Sequence, residues 1–196
     1  FIFFFQMLYP FAWVNRRTAA TAAAAGGCML VRADALREAG GIEAIRAALI
    51  DDCALARLLK RIGPIRLSLT HRVRSIRPYP TIEEFGRMVS RSAYAQLNYS
   101  PALLIATTAG MALTYLAPPL LAFLAGGLAQ ILGIAAWAAM ALLFQPTLRF
   151  YRVSPAWGLA LPAIALSYMW FTLDSAFQFA SGRGGMWKGR AQAIRP

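Results

Sequence analysis

Hydrophobic and polar positions divide the chain into two parts of different character. No Asp, Glu, Lys or Arg occurs between Ser92 and Leu148, whereas the residues before Ser92 are rich in arginine. The hydrocarbon core of a bilayer is about 30 Å thick and takes about 20 apolar residues as a helix. The charge-free stretch is therefore long enough to cross a bilayer twice, with a division at Gly126-Gly127.

A further apolar segment follows the short basic loop at Arg149 and Arg152. It contains one acidic residue and is again long enough to span. Beyond it lies a basic, glycine-rich tail at residues 182–196. The pattern thus predicts three transmembrane helices within residues 99–181, over about 101–124, 128–147 and 155–179.

The first 80 residues have the patterning of a mixed α/β domain. Residues 28–31 form a short apolar run, and residues 65–69 alternate between apolar and polar positions, which is typical of strands. Between them, Asp51 is placed to cap a helix that extends to about Arg61 and ends at Gly63-Pro64. Residues 1–14 are apolar and aromatic, and the pattern leaves open whether they lie in a membrane interface or are buried.

Residues 81–98 predict an amphipathic helix that runs directly into the apolar region. The helix opens with a capping box at Thr81-Ile82-Glu83-Glu84 and carries Arg87 and Arg91. An apolar face beside arginines is typical of a helix that lies along a membrane surface.

Composition narrows the class of partner. The 196 residues are 59% hydrophobic, and the net charge is +12. A basic chain can bind nucleic acid, but with several apolar spans an anionic leaflet or an anionic substrate is the better explanation, and we expect no nucleic-acid partner. The two cysteines, Cys28 and Cys53, do not have the spacing of a zinc site or a disulfide framework.

The strongest candidate for chemistry is the pair Asp51-Asp52. Two acids at a helix start are also explained by capping and by the helix dipole. A carboxylate can, however, serve as a general base. Arg87 and Arg91 can bind a diphosphate through charge-assisted hydrogen bonds, or equally the phosphate of a lipid headgroup.

The order of these features resembles the acceptor-side half of family 2 glycosyltransferases. In that family a Gly-Gly turn, here Gly40-Gly41, precedes a motif that here reads Asp51-Asp52-x-x-Leu55. The resemblance implies that Asp52 is the catalytic base and Asp51 a supporting residue. It is greatest to the hopene-associated glycosyltransferase subfamily, through four further motifs: Phe5-Gln6-Met7-Leu8-Tyr9-Pro10, Arg77-Pro78-Tyr79-Pro80, Gln145-Pro146-Thr147-Leu148-Arg149-Phe150-Tyr151-Arg152 and Trp187-Lys188-Gly189-Arg190.

The resemblance sets the expected fold, ligands and extent. It implies that residues 1–80 are the C-terminal part of a GT-A-type α/β domain, and that the nucleotide-binding strands lie upstream, in a longer protein. The family's Asp-x-Asp metal motif does not occur here, so a divalent metal (Mg or Mn) would be bound by that upstream half. Gly40, Gly41, Arg87 and Arg91 are the candidate substrate- or diphosphate-binding residues.

One departure concerns the arginine motif. Relatives that glycosylate ceramide or build polysaccharides carry Gln-x-x-Arg-Trp on the amphipathic helix, where this chain has Met88-Val89-Ser90-Arg91-Ser92. The tryptophan on which processive synthases stack sugars is thus absent.

The resemblance implies a membrane-bound inverting glycosyltransferase. It would move a sugar from a nucleotide-sugar donor to a lipid acceptor, related to hopanoids, at the bacterial inner membrane with its catalytic part in the cytoplasm. The alternative is a membrane-anchoring, partner-binding module without catalysis.

Overall fold

The computed structural model describes residues 2–73, 76, 79–187 and 190–191. The chain separates into two compact units, which divide between residues 78 and 79. Each unit has its own packing and is described by itself.

The first unit is built from short helices around a small apolar core. The core is formed by Tyr9, Val14, Ala23, Cys53 and Leu67, with Phe5 and Phe11 among the partly buried side chains packed on it. Its helices are α1 (Ile2–Leu8), α2 (Phe11–Asn15), α3 (Ala33–Glu38), a 3₁₀-helix (Ile42–Ile45) and α4 (Asp51–Ile62).

For residues 1–14 the sequence pattern allows either an interfacial or a buried position. The structure favours burial, because Phe3, Tyr9 and Val14 are buried, although Trp13 on α2 is 55% exposed. Lys60 on α4 holds this segment in place: its Nζ donates to the carbonyl oxygens of Trp13 (3.1 Å) and Val14 (2.8 Å), and to that of Thr21.

The predicted α/β fold is wrong for the described residues. Residues 28–31 and 65–69 have no helix and pair with no strand. The alternation correctly placed Leu67 inside, but a strand also needs a neighbour. Here the side chain of Asn15 takes that place: it accepts from the Leu67 N–H (2.7 Å) and donates to the Leu67 carbonyl oxygen (3.0 Å).

The second unit contains one long helix, α11 (Leu161–Ala180), on which several shorter helices pack. Helix α11 contacts α5 (Ile82–Ser90), α6 (Ala93–Gln96) and α7 (Pro101–Met111). The Ser90 Oγ donates to the Phe171 carbonyl oxygen (3.0 Å), and the buried Tyr94 N–H donates to the Ser175 Oγ (3.0 Å). These bonds fix α5 and α6 on α11.

The predicted helix over residues 81–98 is two helices. Thr81 is the N-cap of α5, and its Oγ1 accepts from the Glu84 N–H (3.2 Å), as the capping box predicts. Helix α5 ends at Ser90, and α6 starts again at Ala93. Their buried positions, which include Gly86, Val89 and Tyr94, face α11, so the apolar face is covered by protein rather than lipid.

Two helices in the described residues are long and apolar enough to cross a membrane: Pro101–Leu124 and Gly127–Phe150, with 24 residues each. At about 1.5 Å per residue each is about 36 Å long, which exceeds a hydrocarbon core of about 30 Å. Most side chains in both are exposed. The first contains α7, a π-helical segment (Ala112–Leu116) and α8 (Ala117–Leu124). The second contains α9 (Gly127–Leu143) and α10 (Gln145–Phe150).

The π-helical segment lies just before Pro118-Pro119, with Ala117 between them. A proline has no N–H and crowds the carbonyl group four residues earlier, so the regular hydrogen-bond ladder cannot continue. The wider turn is how this helix adapts to the two prolines.

The third predicted membrane helix is wrong as a span. Helix α11 begins only at Leu161, after a second 3₁₀-helix (Pro155–Gly158), and although its 20 residues are long enough, it is not among the helices apolar enough to cross a membrane. Its polar residues lower its hydropathy, and Tyr168, Thr172 and Ser175 are buried against the rest of the unit.

Two strands of two residues each pair antiparallel: β1 (Met186–Trp187) and β2 (Arg190–Ala191). They are the only paired strands among the described residues. The basic tail and the motif at 187–190 lie partly outside the described residues, as do Arg77-Pro78 of the proline-rich motif.

Candidate active site

The start of α4 and the loop at residues 24–28 place Asp52 between two backbone donors. Its Oδ2 accepts from the Gly26 N–H (2.9 Å), and its Oδ1 accepts from the Cys53 N–H (2.7 Å). The loop turns at Gly26-Gly27 and is closed by a bond from the Cys28 N–H to the Ala25 carbonyl oxygen (3.0 Å). The two hydrogen bonds hold the carboxylate in one orientation. Because Asp52 is only half-buried, the carboxylate still reaches the surface.

Asp51 has a different environment from its neighbour. It is exposed, and its Oδ1 accepts only from the Asp52 N–H (2.9 Å). The sequence predicts Asp51 as the N-cap, but the N-cap is Ile50, whose side chain makes no capping bond. Both acids instead lie in the first turn of α4, where negative charge is stabilised by the helix dipole.

Cys53 anchors this helix turn in the core. It is 2% exposed, and its Sγ faces the Ala24 carbonyl oxygen at 4.0 Å. Burial raises the pKa of the Cys53 thiol, while a hydrogen bond with Tyr9 acts in the opposite direction. Because Cys53 is fixed in the core, the adjacent Asp52 is carried by a rigid part of the unit.

Gly40 and Gly41 end α3. They have φ angles of +90° and +70°, which residues with a Cβ rarely adopt. The Gly41 N–H donates to the Leu36 carbonyl oxygen (2.8 Å) and the Gly40 N–H to that of Arg37 (3.1 Å), which is the pattern of a Schellman motif. The glycines therefore have a structural role, and their predicted role in substrate binding stays a prediction.

Arg87 and Arg91 belong to the second unit, whereas Asp51, Asp52, Gly40 and Gly41 belong to the first. Arg87 is exposed on α5. Arg91 is half-buried at the C-cap, one turn later, and its N–H donates to the Arg87 carbonyl oxygen (3.2 Å). The two arginines thus share one helix end, and their predicted role in diphosphate binding stays a prediction.

The described residues do not fit a metal centre. They bring no three His, Cys, Asp or Glu side chains together in a way that would hold a metal ion. The Asp52 oxygens already accept backbone N–H groups, and the Asp51 side chain accepts another. Neither acid is therefore a candidate metal ligand in this arrangement.

The sequence gives no role to Gly26. The structure shows that its N–H is the donor that reaches Asp52 from 26 residues earlier in the chain. A Gly-Gly pair before the apolar run at residues 28–31 was the available signal, but its partner is distant in sequence and could not be inferred from spacing.

A family comparison identifies the class of protein as a glycosyltransferase. The chain belongs to glycosyl transferase family 21, whose family model matches residues 2–195. No curated protein and no solved structure matches the chain. The prediction of a glycosyltransferase is confirmed, but the family is 21, and the match does not support the resemblance to family 2 or to its hopene-associated subfamily. Because the match spans nearly the whole chain, it supports an enzyme over a non-catalytic module.

Proposed function

We propose that this glycosyltransferase transfers a sugar from a nucleotide-sugar donor to the hydroxyl group of a lipid, with Asp52 as the general base and inversion at the anomeric carbon. Family membership supports sugar transfer, and hence a donor and an acceptor. The observation that carries the role of Asp52 is its half-buried carboxylate, oriented by two backbone N–H groups.

The geometry of Asp52 suits proton removal. A carboxylate has about four acceptor positions, and two backbone donors leave further lone pairs for an acceptor hydroxyl. In the proposed step the hydroxyl oxygen attacks the anomeric carbon, Asp52 takes the hydroxyl proton, and the bond to the nucleoside diphosphate breaks. Asp51 is proposed to support the base because its Oδ1 accepts a hydrogen bond from the backbone N–H of Asp52.

The apolar helices support a lipid as the acceptor. Pro101–Leu124 and Gly127–Phe150 are long enough to span a bilayer, and a membrane-anchored enzyme meets its acceptor at the bilayer surface. We propose the bacterial inner membrane, with the first unit in the cytoplasm, and an amphiphile of the hopanoid type as one acceptor to test.

The donor is proposed to bind through its diphosphate. Arg87 on α5 and Arg91 at its C-cap, one helical turn apart, are proposed to supply positive charge for it. A divalent metal, if the reaction uses one, would need ligands outside the residues described here.

The test is Asp52→Asn in the protein expressed from its complete gene. Membranes are incubated with radiolabelled nucleoside diphosphate hexoses, and the label is measured in the lipid extract. Loss of a positioned general base lowers rates by about 10²–10⁴-fold. We expect a loss of that size for Asp52→Asn and a loss of less than about tenfold for Asp51→Asn, the adjacent and isosteric control. Transfer by Asp52→Asn at the wild-type rate would refute the assignment.

A further inference from the structure

Gly26 approaches Asp52 more closely than is usual for a residue with a side chain. A Cβ at position 26 would lie 3.1 Å from the Asp52 Oδ2 and 3.3 Å from the Asp52 Cβ. Its N–H donates to the same Oδ2 at 2.9 Å. The neighbouring Gly27 lies in the same turn, but a Cβ there would meet no atom within 4 Å.

The two hydrogen bonds of the Asp52 carboxylate have different origins. The bond from the Cys53 N–H comes from the adjacent residue and ties Oδ1 to α4 itself. The bond from Gly26 comes from a separate segment, and it fixes Oδ2. With both oxygens held, the carboxylate plane cannot rotate freely about its Cβ–Cγ bond.

The segment that carries Gly26 is itself fixed. The bond from the Cys28 N–H to the Ala25 carbonyl oxygen closes its turn. Ala23 is part of the apolar core, and the Ala24 carbonyl faces the buried Cys53. Gly26 is thus a rigid reference point for Asp52, although it is on the surface.

We propose that Gly26 is a positioning residue that aims the Asp52 carboxylate at the acceptor hydroxyl, through its N–H and through its lack of a side chain. The proposal rests on the proposed role of Asp52 as base. Gly26 itself touches no substrate and transfers no proton.

The experiment compares Gly26→Ala with Gly27→Ala in the protein expressed from its complete gene. Both glycines are exposed and neither has a φ in the left-handed region, so alanine strains the backbone at neither position. At position 26 the new methyl group has to push the Asp52 side chain aside by a few tenths of an ångström. At position 27 it enters open space.

The assay uses the radiolabelled nucleoside diphosphate hexose that wild type transfers fastest. Since a 1 Å misplacement of reacting groups can cost about 10²-fold, we expect Gly26→Ala to lower kcat about tenfold. The KM for the donor should stay within about twofold, and the thermal midpoint should match wild type, because the fold and the donor site are unchanged. Gly27→Ala should match wild type in all three measurements.

A double-mutant cycle separates positioning from other effects. In an Asp52→Asn background, Gly26→Ala should cause no further loss of kcat, because the group that it positions is already disabled. An equal loss in both backgrounds would overturn the proposal, as would equal kcat values for Gly26→Ala and Gly27→Ala.

These outcomes are distinct from failure of the proposed function. If Asp52→Asn transfers sugar at the wild-type rate, the base assignment fails, and the positioning role fails with it. If Asp52→Asn is inactive but Gly26→Ala is as active as wild type, only the positioning role is refuted.

Discussion

The contact between α5 and α11 at Gly86 allows a quantitative test of the second unit. A Cβ at Gly86 would lie 2.6 Å from the Phe171 Cε1 and 3.1 Å from its Cδ1 and Cζ. The ring of Phe171 packs edge-on against the rings of Phe85 and Tyr168, and its carbonyl oxygen accepts from the Ser90 Oγ. Neither the ring nor the backbone of Phe171 can move away without breaking these contacts.

We therefore expect Gly86→Ala to destabilise the protein. Non-bonded carbons prefer separations of about 3.5–4.0 Å, so the new methyl group overlaps the ring by about 1 Å. Overpacking of this kind costs about 1–3 kcal/mol, and the better helix propensity of alanine returns about 0.5–1 kcal/mol. The middle of both ranges gives a net loss of about 1 kcal/mol, which corresponds to a fall of about 2–4 °C in thermal midpoint for a chain of this size.

The measurement is thermal unfolding of the detergent-solubilised protein, with Gly110→Ala as the matched control. Gly110 is also helical, and a Cβ there meets no atom within 4 Å, so Gly110→Ala should leave the midpoint unchanged or raise it. Phe171→Leu removes the clashing ring atoms and should make Gly86→Ala less costly than it is in wild type. Equal midpoints for Gly86→Ala and Gly110→Ala would show that the close approach of α5 to α11 is incorrect.

Two further predictions follow from buried groups. Ser175→Ala leaves the buried Tyr94 N–H without its acceptor and should lower the free energy of unfolding by about 1–3 kcal/mol, measured by thermal or chemical unfolding. The control is Ser167→Ala, whose hydroxyl donates to the Ala163 carbonyl oxygen within α11 and whose loss should cost clearly less. Equal losses for the two variants would contradict the hydrogen bond between Tyr94 and Ser175. Maleimide should label the exposed Cys28 first, as read by mass spectrometry. Because burial raises the pKa of the Cys53 thiol, its reactive thiolate appears only at higher pH. Equally rapid labelling of both cysteines at pH 7 would contradict the burial of Cys53.

The sequence predicted local conformation better than it predicted which segments contact each other. The alternation at residues 65–69 correctly placed Leu67 inside and Arg66 and Ser68 outside. It could not show what pairs with this backbone, because a strand pattern has the same period whether its neighbour is another strand or the side chain of Asn15. The incorrect α/β prediction arose at that step.

The amphipathic helix illustrates the same limit. The capping box at Thr81 marked the start of α5 correctly. The apolar face that follows was assigned to the membrane, but an apolar stripe fits lipid and a neighbouring helix equally well. Tyr94 and Gly86 are buried against α11, which lies about 80 residues later in the chain. The sequence pattern does not show that polar residues of α11 are buried there.

For the candidate site, the sequence supplied Asp52 and the structure supplied its setting. Two adjacent acids at a helix start are ambiguous, since both acids satisfy the helix dipole. The difference between them became visible only when Gly26 and Cys53 were found to hold one carboxylate, while the other remained exposed.

The π-helical segment at Ala112–Leu116 has a consequence for how this protein tolerates insertions and deletions. A π-helical turn holds about one residue more than an α-helical turn, so one deletion in this segment would restore a regular α-helical turn. Helix α8 meets α9 so closely that a Cβ on Gly133 would lie 2.7 Å from the Ala122 nitrogen and 2.8 Å from the Pro118 oxygen. Each residue of an α-helix turns the chain by about 100°, so a deletion in the regular helix between this segment and Ala122 would turn that surface away from Gly133. The π-helical segment is therefore the place in this span where a one-residue change in length disturbs the contact between the two apolar helices least.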